Sequence, residues 1–309
     1  MSAYRIAAIT DEFTPDLEAA LGGMADVGMT GAELRVVGGK NMIDLTDEEI
    51  DRVRASVEAH GMEVVALASP LLKCVLPDSP PLDSRVQHDV FGSPHTFEDQ
   101  PRLTKRAFEI AERLGTPIIR VFSYWRTTEP ERTYDRLGEA LLALADEASR
   151  RGVIIGLENE HACNVGTGEE ASRVLARLDH PALKLLWDPA NASILGEKPF
   201  PNGYQTLDKK RIAHVHAKDC FVKDYKPEWG PVGEMGIGWR GQIDALRRDG
   251  YDGWLSLETH WTGPKGDKFE ASTICGRAMG ICTLRSVWRR VEPIEVAAST
   301  VDAFTPRMP

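Results

Sequence analysis

The stretch 153-VIIGLENEH-161 decides the reading of this chain. An apolar, β-branched run ends abruptly at Glu158 and passes into Asn159, Glu160 and His161. The same event recurs downstream. The run 183-LKLLWDPAN-191 stops at Asp188, 212-IAHVHAKD-219 carries His214, His216, Lys218 and Asp219, and 253-GWLSLETHW-261 breaks at Glu258 and His260. Short buried strands that end in acid or imidazole are what the C-terminal rim of a parallel β/α barrel presents.

The same rhythm extends upstream. Strands are expected over residues 5–9, 32–36, 63–68 and 117–122, then over 153–157, 183–187, 212–215 and 253–257. Amphipathic helices are expected between them, over 16–27, 46–60, 103–114, 133–150, 169–178, 204–209 and 243–248, with a closing helix over 271–290. Thr46 with Glu49 forms a capping box, and Gly61, Gly115, Gly152 and Gly250 stand where helices end. Eight alternating units predict an α/β fold, a single (β/α)₈ TIM barrel. An open doubly wound sheet would carry a glycine-rich turn after its first strand, and Ala8-Ile9-Thr10-Asp11 is unlike one. The barrel is expected over residues 1–290, with a Pro-, Asp- and Ser-rich loop insertion at 70–101 that reads as a lid or a solvated excursion, and a C-terminal tail at 291–309.

With 309 residues and a net charge of −10, the chain has the wrong sign for a phosphate-backbone binder, so nucleic acid is not expected as a partner. The five cysteines (Cys74, Cys163, Cys220, Cys275 and Cys282) include no CxxC pair and read as reduced thiols of a cytoplasmic protein. Asp11 and Glu12 interrupt the N-terminus too early for a leader, and no run is long enough to span a membrane.

Period two places His214 with His216, and Glu258 with His260, on one strand face. Carboxylates converging from neighbouring strand ends repel one another unless a cation lies between them. Glu158, Asp188 and Glu258 with one imidazole form an oxygen-rich set. It favours Mn²⁺, with Mg²⁺, Co²⁺ and Zn²⁺ also compatible.

These strand ends resemble the xylose-isomerase-like barrel superfamily, also called the sugar phosphate isomerase/epimerase family. The matching elements are L-E-N at Glu158, W-D-P-x-N at Asp188 and Asn191, H-x-H-x-K-D from His214 to Asp219, and S-L-E-x-H at Glu258. The resemblance implies a metal held by Glu158, Asp188, His216 and Glu258. It also implies an isomerase or epimerase in which Glu158 and Glu258 move a proton through a metal-stabilised enediolate. His260 is a further catalytic candidate; Asn191, His214, Lys218, Asp219, Trp125 and Arg126 are expected to meet a carbohydrate.

Two positions depart from the ketose 3-epimerase pattern: Asn191 stands where that group has His, and Val222 where it has Arg. A second reading is therefore a metal-dependent lyase or deglycosidase that cleaves 3-oxo-glycosides, C-glycosides included, with His260 or His161 as base. A third is a non-catalytic sugar-binding barrel. The resemblance further implies a homo-oligomer, and in the glycoside-cleaving branch a small partner subunit.

Overall fold

Each expected strand appears once in a closed, wholly parallel barrel. The computed structural model describes residues 4–87 and 94–283. The barrel strands are β1 (Arg5–Ile9), β2 (Gly31–Leu34), β3 (Glu63–Leu67), β4 (Ile118–Val121), β5 (Ile154–Glu158), β6 (Leu183–Trp187), β7 (Ile212–Ala217) and β8 (Trp254–Leu257). They pair in sequence order, and β8 closes onto β1 through Arg5↔Trp254 and Ala8↔Leu257. Strands wrapped by helices are buried on both faces, which is why these runs are apolar rather than alternating.

The helices follow the same physics. Helix α1 covers Leu17–Asp26, α2 Asp47–Ala59, α3 Gln100–Leu114 and α4 Tyr134–Arg151. Helix α3 buries Leu103, Ala107, Phe108, Ile110, Ala111 and Leu114, the stripe that a 3.6-residue period places against a sheet. Gly115 and Gly152 end α3 and α4 in the left-handed conformation, at φ 67° and 69°. Then come α5 (Gly168–Leu175), α6 (Pro189–Ile194), α7 (Trp239–Arg248) and α8 (Lys268–Thr283).

Four local expectations change. The helix expected over 204–209 is one turn, Tyr204–Thr206, because Leu207 is extended and Asp208 caps a separate turn at Lys209–Arg211. The helix of that βα unit is instead the short α6, capped by Asp188. Helix α7 begins four residues earlier than expected, since Trp239 is a buried anchor. Two antiparallel hairpins were not foreseen: Val36–Val37 with Lys40–Asn41, and Asp219–Lys223 with Lys226–Gly230. The first part of the 70–101 segment is packed, burying Leu71, Leu72, Cys74, Leu76 and Val86. The tail at 291–309 and the far end of the closing helix lie outside the described residues. Among the described residues, no helix is long and apolar enough to cross a membrane.

Period two stacks the barrel interior in layers. At the bottom, Trp254 on β8 lies with Ala7 and Val65. Two residues higher, Glu33 on β2 meets His214 on β7. Two residues higher again, Arg35, His216 and Glu258 reach the C-terminal mouth, where Lys218 joins them from just past the end of β7.

Gly31 makes the bottom layer possible. A Cβ there would lie 2.6 Å from Val65 Cγ1 and 2.7 Å from the Trp254 ring. Gly31→Ala is expected to destabilise the barrel by about 1–3 kcal/mol, the usual cost of overpacking, measured as a lower midpoint in reversible chemical unfolding.

Candidate metal centre

Strand ends and helix caps aim four side chains at one point. Glu158 closes β5. Asn159, the next residue, donates to the Asp188 carbonyl at 2.8 Å and accepts from the Asp188 N–H at 2.8 Å, clamping the end of β6 to β5. Asp188 is also the N-cap of α6: its Oδ1 accepts from Asn191 N at 3.0 Å, which turns Oδ2 inward. His216 presents Nδ1 to Glu158 Oε1 at 3.3 Å, Glu258 Oε2 at 3.2 Å and Asp188 Oδ2 at 3.8 Å. One ligand atom from each of Glu158, Asp188, His216 and Glu258 lies within 4.8 Å of all the others, and all four residues are buried.

Two observations say that this set suits a cation. Glu158 Oε2 and Asp188 Oδ2 are buried without a hydrogen-bond donor. Each has a cation nearby, Arg120 at 3.4 Å and Lys218 at 2.8 Å, but neither is aligned as a hydrogen bond. Orphaned buried oxygens are costly and mark a missing partner. The charges agree. The connected network holds seven carboxylates, Asp11, Glu12, Glu33, Glu158, Glu160, Asp188 and Glu258, whereas its lysines and arginines are five, Arg35, Lys73, Arg120, Lys218 and Lys268. The carboxylates outnumber the lysines and arginines, an excess that favours a cation. The strain is visible at Asp188, pushed up to about 6 by burial and by Glu258 and Glu158, which together outweigh Lys218. Glu258 is held well below the usual range, because Lys218 and His216 outweigh its burial.

A second buried group, Glu33, His214 and His216, also clusters. Its distances are those of hydrogen bonds: the Glu33 carboxylate meets His214 Nε2 at 2.9 Å and His216 Nε2 at 3.1 Å. Glu33 thus fixes the His216 tautomer and leaves Nδ1 for the metal, the usual carboxylate–histidine support of a ligand. Arg35 does the same for Glu258. Its Nη1 donates to Glu258 Oε1 at 3.0 Å while its other nitrogens hold Asp11 and Glu12.

Glu258 also borders a cavity of about 230 Å³. Arg35, Lys73, Arg120, Glu160, His161 and Glu258 line it with His260, and Pro70, Pro94 and His95 bring the 70–101 segment to its edge. His260 sits at φ 53°, in the left-handed region that few residues other than glycine adopt, and its N–H donates to Glu12 Oε2 at 3.2 Å. Burial and Lys218 lower its imidazole to about 4. His161 moves the other way: Glu160 outweighs burial and raises it.

The expected contact residues divide. Lys218 reaches the centre, 2.8 Å from both Asp188 Oδ2 and Glu258 Oε2, and Asn191 bonds Glu158 Oε1 at 3.3 Å. His214 lies one layer below, against Glu33. Asp219 accepts from Gly233, Met235 and Ile237 N–H groups and organises a loop. Arg126 pairs with Glu170 at 2.6 Å, away from the cavity lining, and Trp125 stands 5.4 Å from the Lys73 ammonium. Glu33, Arg35, Glu12, Glu160 and Arg120 were not picked out from sequence. Glu33 and Arg35 did carry a signal, two charges at period two at the end of an otherwise apolar strand.

Comparison with known proteins places this geometry. The model of the xylose isomerase-like TIM barrel family matches residues 23–277. An inosose dehydratase of Lacticaseibacillus casei is 29% identical over 154 residues, covering 44% of this chain and 50% of that protein. The chain thus spans about half the length of the curated relatives it matches. Among solved structures, the IOLI protein with a bound zinc atom superposes with a TM-score of 0.66 at 18% identity, over 89% of this chain and 96% of that one. The probable 3-DHS dehydratase AsbF of Bacillus anthracis gives 0.66 at 18%, over 91% and 99%. At such identities the superpositions establish a shared fold.

Because Glu33 orients His216 and touches nothing in the cavity lining, Glu33→Gln is expected to weaken Mn²⁺ binding by about 10–100-fold with the far-UV spectrum unchanged. Arg126→Ala should leave Mn²⁺ affinity as it is. Isothermal titration of both variants checks the pair.

Proposed function

The chain belongs to the xylose isomerase-like TIM barrel family, and from that premise we propose that it is a divalent-metal-dependent lyase that removes water from a cyclic keto-polyol. The observation that carries the reading is the placement of two imidazoles, His161 and His260, on a cavity that is also lined by Glu258 of the four-ligand cluster. Three carboxylates and one imidazole favour Mn²⁺ or Mg²⁺ over softer ions, and Mn²⁺ is the ion we assign. When bound, such an ion supplies Lewis acidity to a ketone oxygen.

The chain's own residues supply the rest. His260 is placed to take a proton from the carbon beside the ketone. Its ring is set by Glu12, by Trp229 at 5.0 Å in an edge-on stack, and by the backbone bond that holds its φ. Loss of the neighbouring hydroxyl group as water then gives the unsaturated ketone. Lys73, stacked on Phe122 at 4.4 Å, and Arg120, stacked on the same ring at 4.5 Å, furnish fixed donors at the cavity wall. A cavity of about 230 Å³ is small beside the roughly 300–1,000 Å³ usual for drug-sized ligands. That favours a single ring over a glycoside with a bulky aglycone. The similarity to an inosose dehydratase supports the same substrate class.

Isomerisation or epimerisation by Glu158 and Glu258 is the second reading. The orphaned Glu158 Oε2 favours it. Against it, both Glu258 oxygens are already engaged, Oε1 by Arg35 and Oε2 by Lys218. The two readings give different products from one substrate: an unsaturated ketone and water, or a stereoisomer of unchanged mass.

With a keto-inositol and Mn²⁺, mass spectrometry should show a product lighter by one water. Chelation should stop its formation and added Mn²⁺ restore it. His260→Gln should lower kcat by about 10²–10⁴-fold without loss of bound metal. A stereoisomer as sole product would instead establish the second reading.

A further inference from the structure

Elimination of water needs a proton at the departing oxygen as well as a base at carbon. The cavity wall that holds His260 also holds the pair Glu160 and His161, of which the sequence reading gave only His161 a role, as an alternative base. Glu160 is buried, and its backbone is pinned by a bond from its N–H to Val165 O at 2.9 Å. Its Oε1 lies 2.9 Å from His161 Nδ1. The same Nδ1 lies 2.9 Å from Asn191 Oδ1. Asn191 is itself fixed: its Nδ2 donates to Glu160 Oε2 at 3.1 Å and to Glu158 Oε1 at 3.3 Å, and its N–H to Asp188 Oδ1. Two acceptors at Nδ1 place the proton there and set the ring plane. Nε2 is then the nitrogen that the ring, part of the cavity lining, turns toward a ligand. A histidine oriented through one nitrogen by a buried carboxylate and presenting the other to a cavity is the arrangement of a proton-transfer group. In the pair His180 with Asp146, by contrast, the carboxylate is exposed.

We propose that His161 is the acid that protonates the leaving hydroxyl group, with Glu160 and Asn191 as its positioning residues. This rests on the elimination reading above and adds the second half of its chemistry. The C–H bond beside the ketone breaks and its proton goes to His260. The electron pair passes into the ketone as an enolate and becomes the new carbon–carbon double bond when the neighbouring C–O bond breaks. The departing oxygen takes the proton from His161 Nε2 and leaves as water. His161 is left neutral and regains its proton from solvent, while His260 releases the one it took. No oxidant or reductant is consumed. Glu160, buried with Oε1 2.9 Å from His161 Nδ1, lies where a carboxylate stabilises the protonated ring.

The test uses the full chain loaded with Mn²⁺ and two probes in D₂O: a keto-inositol, and its analogue with fluorine in place of the departing hydroxyl. The wild type should lose water from the first and fluoride from the second. His161→Gln should lose dehydration by at least about 10²-fold, while still washing deuterium into the carbon beside the ketone. It should release fluoride from the analogue within about tenfold of the wild-type rate, because fluoride departs without a proton. Glu160→Gln should show the same split more mildly. Equal loss of exchange, dehydration and fluoride release in His161→Gln, or undiminished dehydration, overturns the assignment. Exchange without water loss in the wild type overturns the elimination reading itself, a result separable from any failure of the pair.

Discussion

Three carboxylates, Glu158, Asp188 and Glu258, are driven together at the dry mouth of the barrel with ligand atoms within 4.8 Å of one another. Like charges at that separation, out of water, are tolerated only where cations and donors are built around them. Much of the surrounding polar architecture is that construction. Lys218 bridges Asp188 and Glu258, Arg35 ties Glu258 to Asp11 and Glu12, Arg120 faces Glu158, and Glu33 locks the imidazole that completes the set. Those side chains still leave carboxylates in excess and two orphaned oxygens, so the folded chain is preorganised for a divalent ion.

The fold delivers these groups by the arithmetic of the strand. Steps of two carry Gly31, Glu33 and Arg35 up β2 and beyond its end, and Trp254, Ser256 and Glu258 up β8. The bottom layer is apolar packing, the middle a carboxylate between two imidazoles, and the top the ligand shell. Substrate chemistry then falls to residues just past the strand ends, where loops rather than ladder bonds decide orientation. His260 is held there at positive φ by Glu12, and His161 is held by Glu160 and Asn191. The site thus separates its tasks: ligands in the strands or at the first residue past them, proton carriers two or three residues further on.

Much of this was legible in the residues. The barrel followed from repeated apolar runs with capping signals between them, because those signals are local. The ligand set Glu158, Asp188, His216 and Glu258 stood at four abrupt strand ends, and the structure brings these residues together. What was hidden depends on contacts across the barrel. Glu33 is 181 residues from His214 and Arg35 is 223 from Glu258, and no local pattern announces such a pairing. Arg126 and Asp219 misled for the converse reason. A charge beside a motif looks functional in one dimension, yet Arg126 serves Glu170 and Asp219 serves four backbone N–H groups. The hairpin Asp219–Lys223 with Lys226–Gly230 was obscured because its alternation is that of a short two-sided ribbon.

The central claim is that one divalent ion binds through a single imidazole, His216 Nδ1, and three carboxylates. Pulsed electron paramagnetic resonance on the chain titrated with Mn²⁺ tests it most directly. One ion per chain with one directly coordinated nitrogen, abolished in His216→Ala, is the predicted result. Two coordinated nitrogens, which would place the ion among Glu33, His214 and His216, or an ion with no coordinated nitrogen, would contradict it.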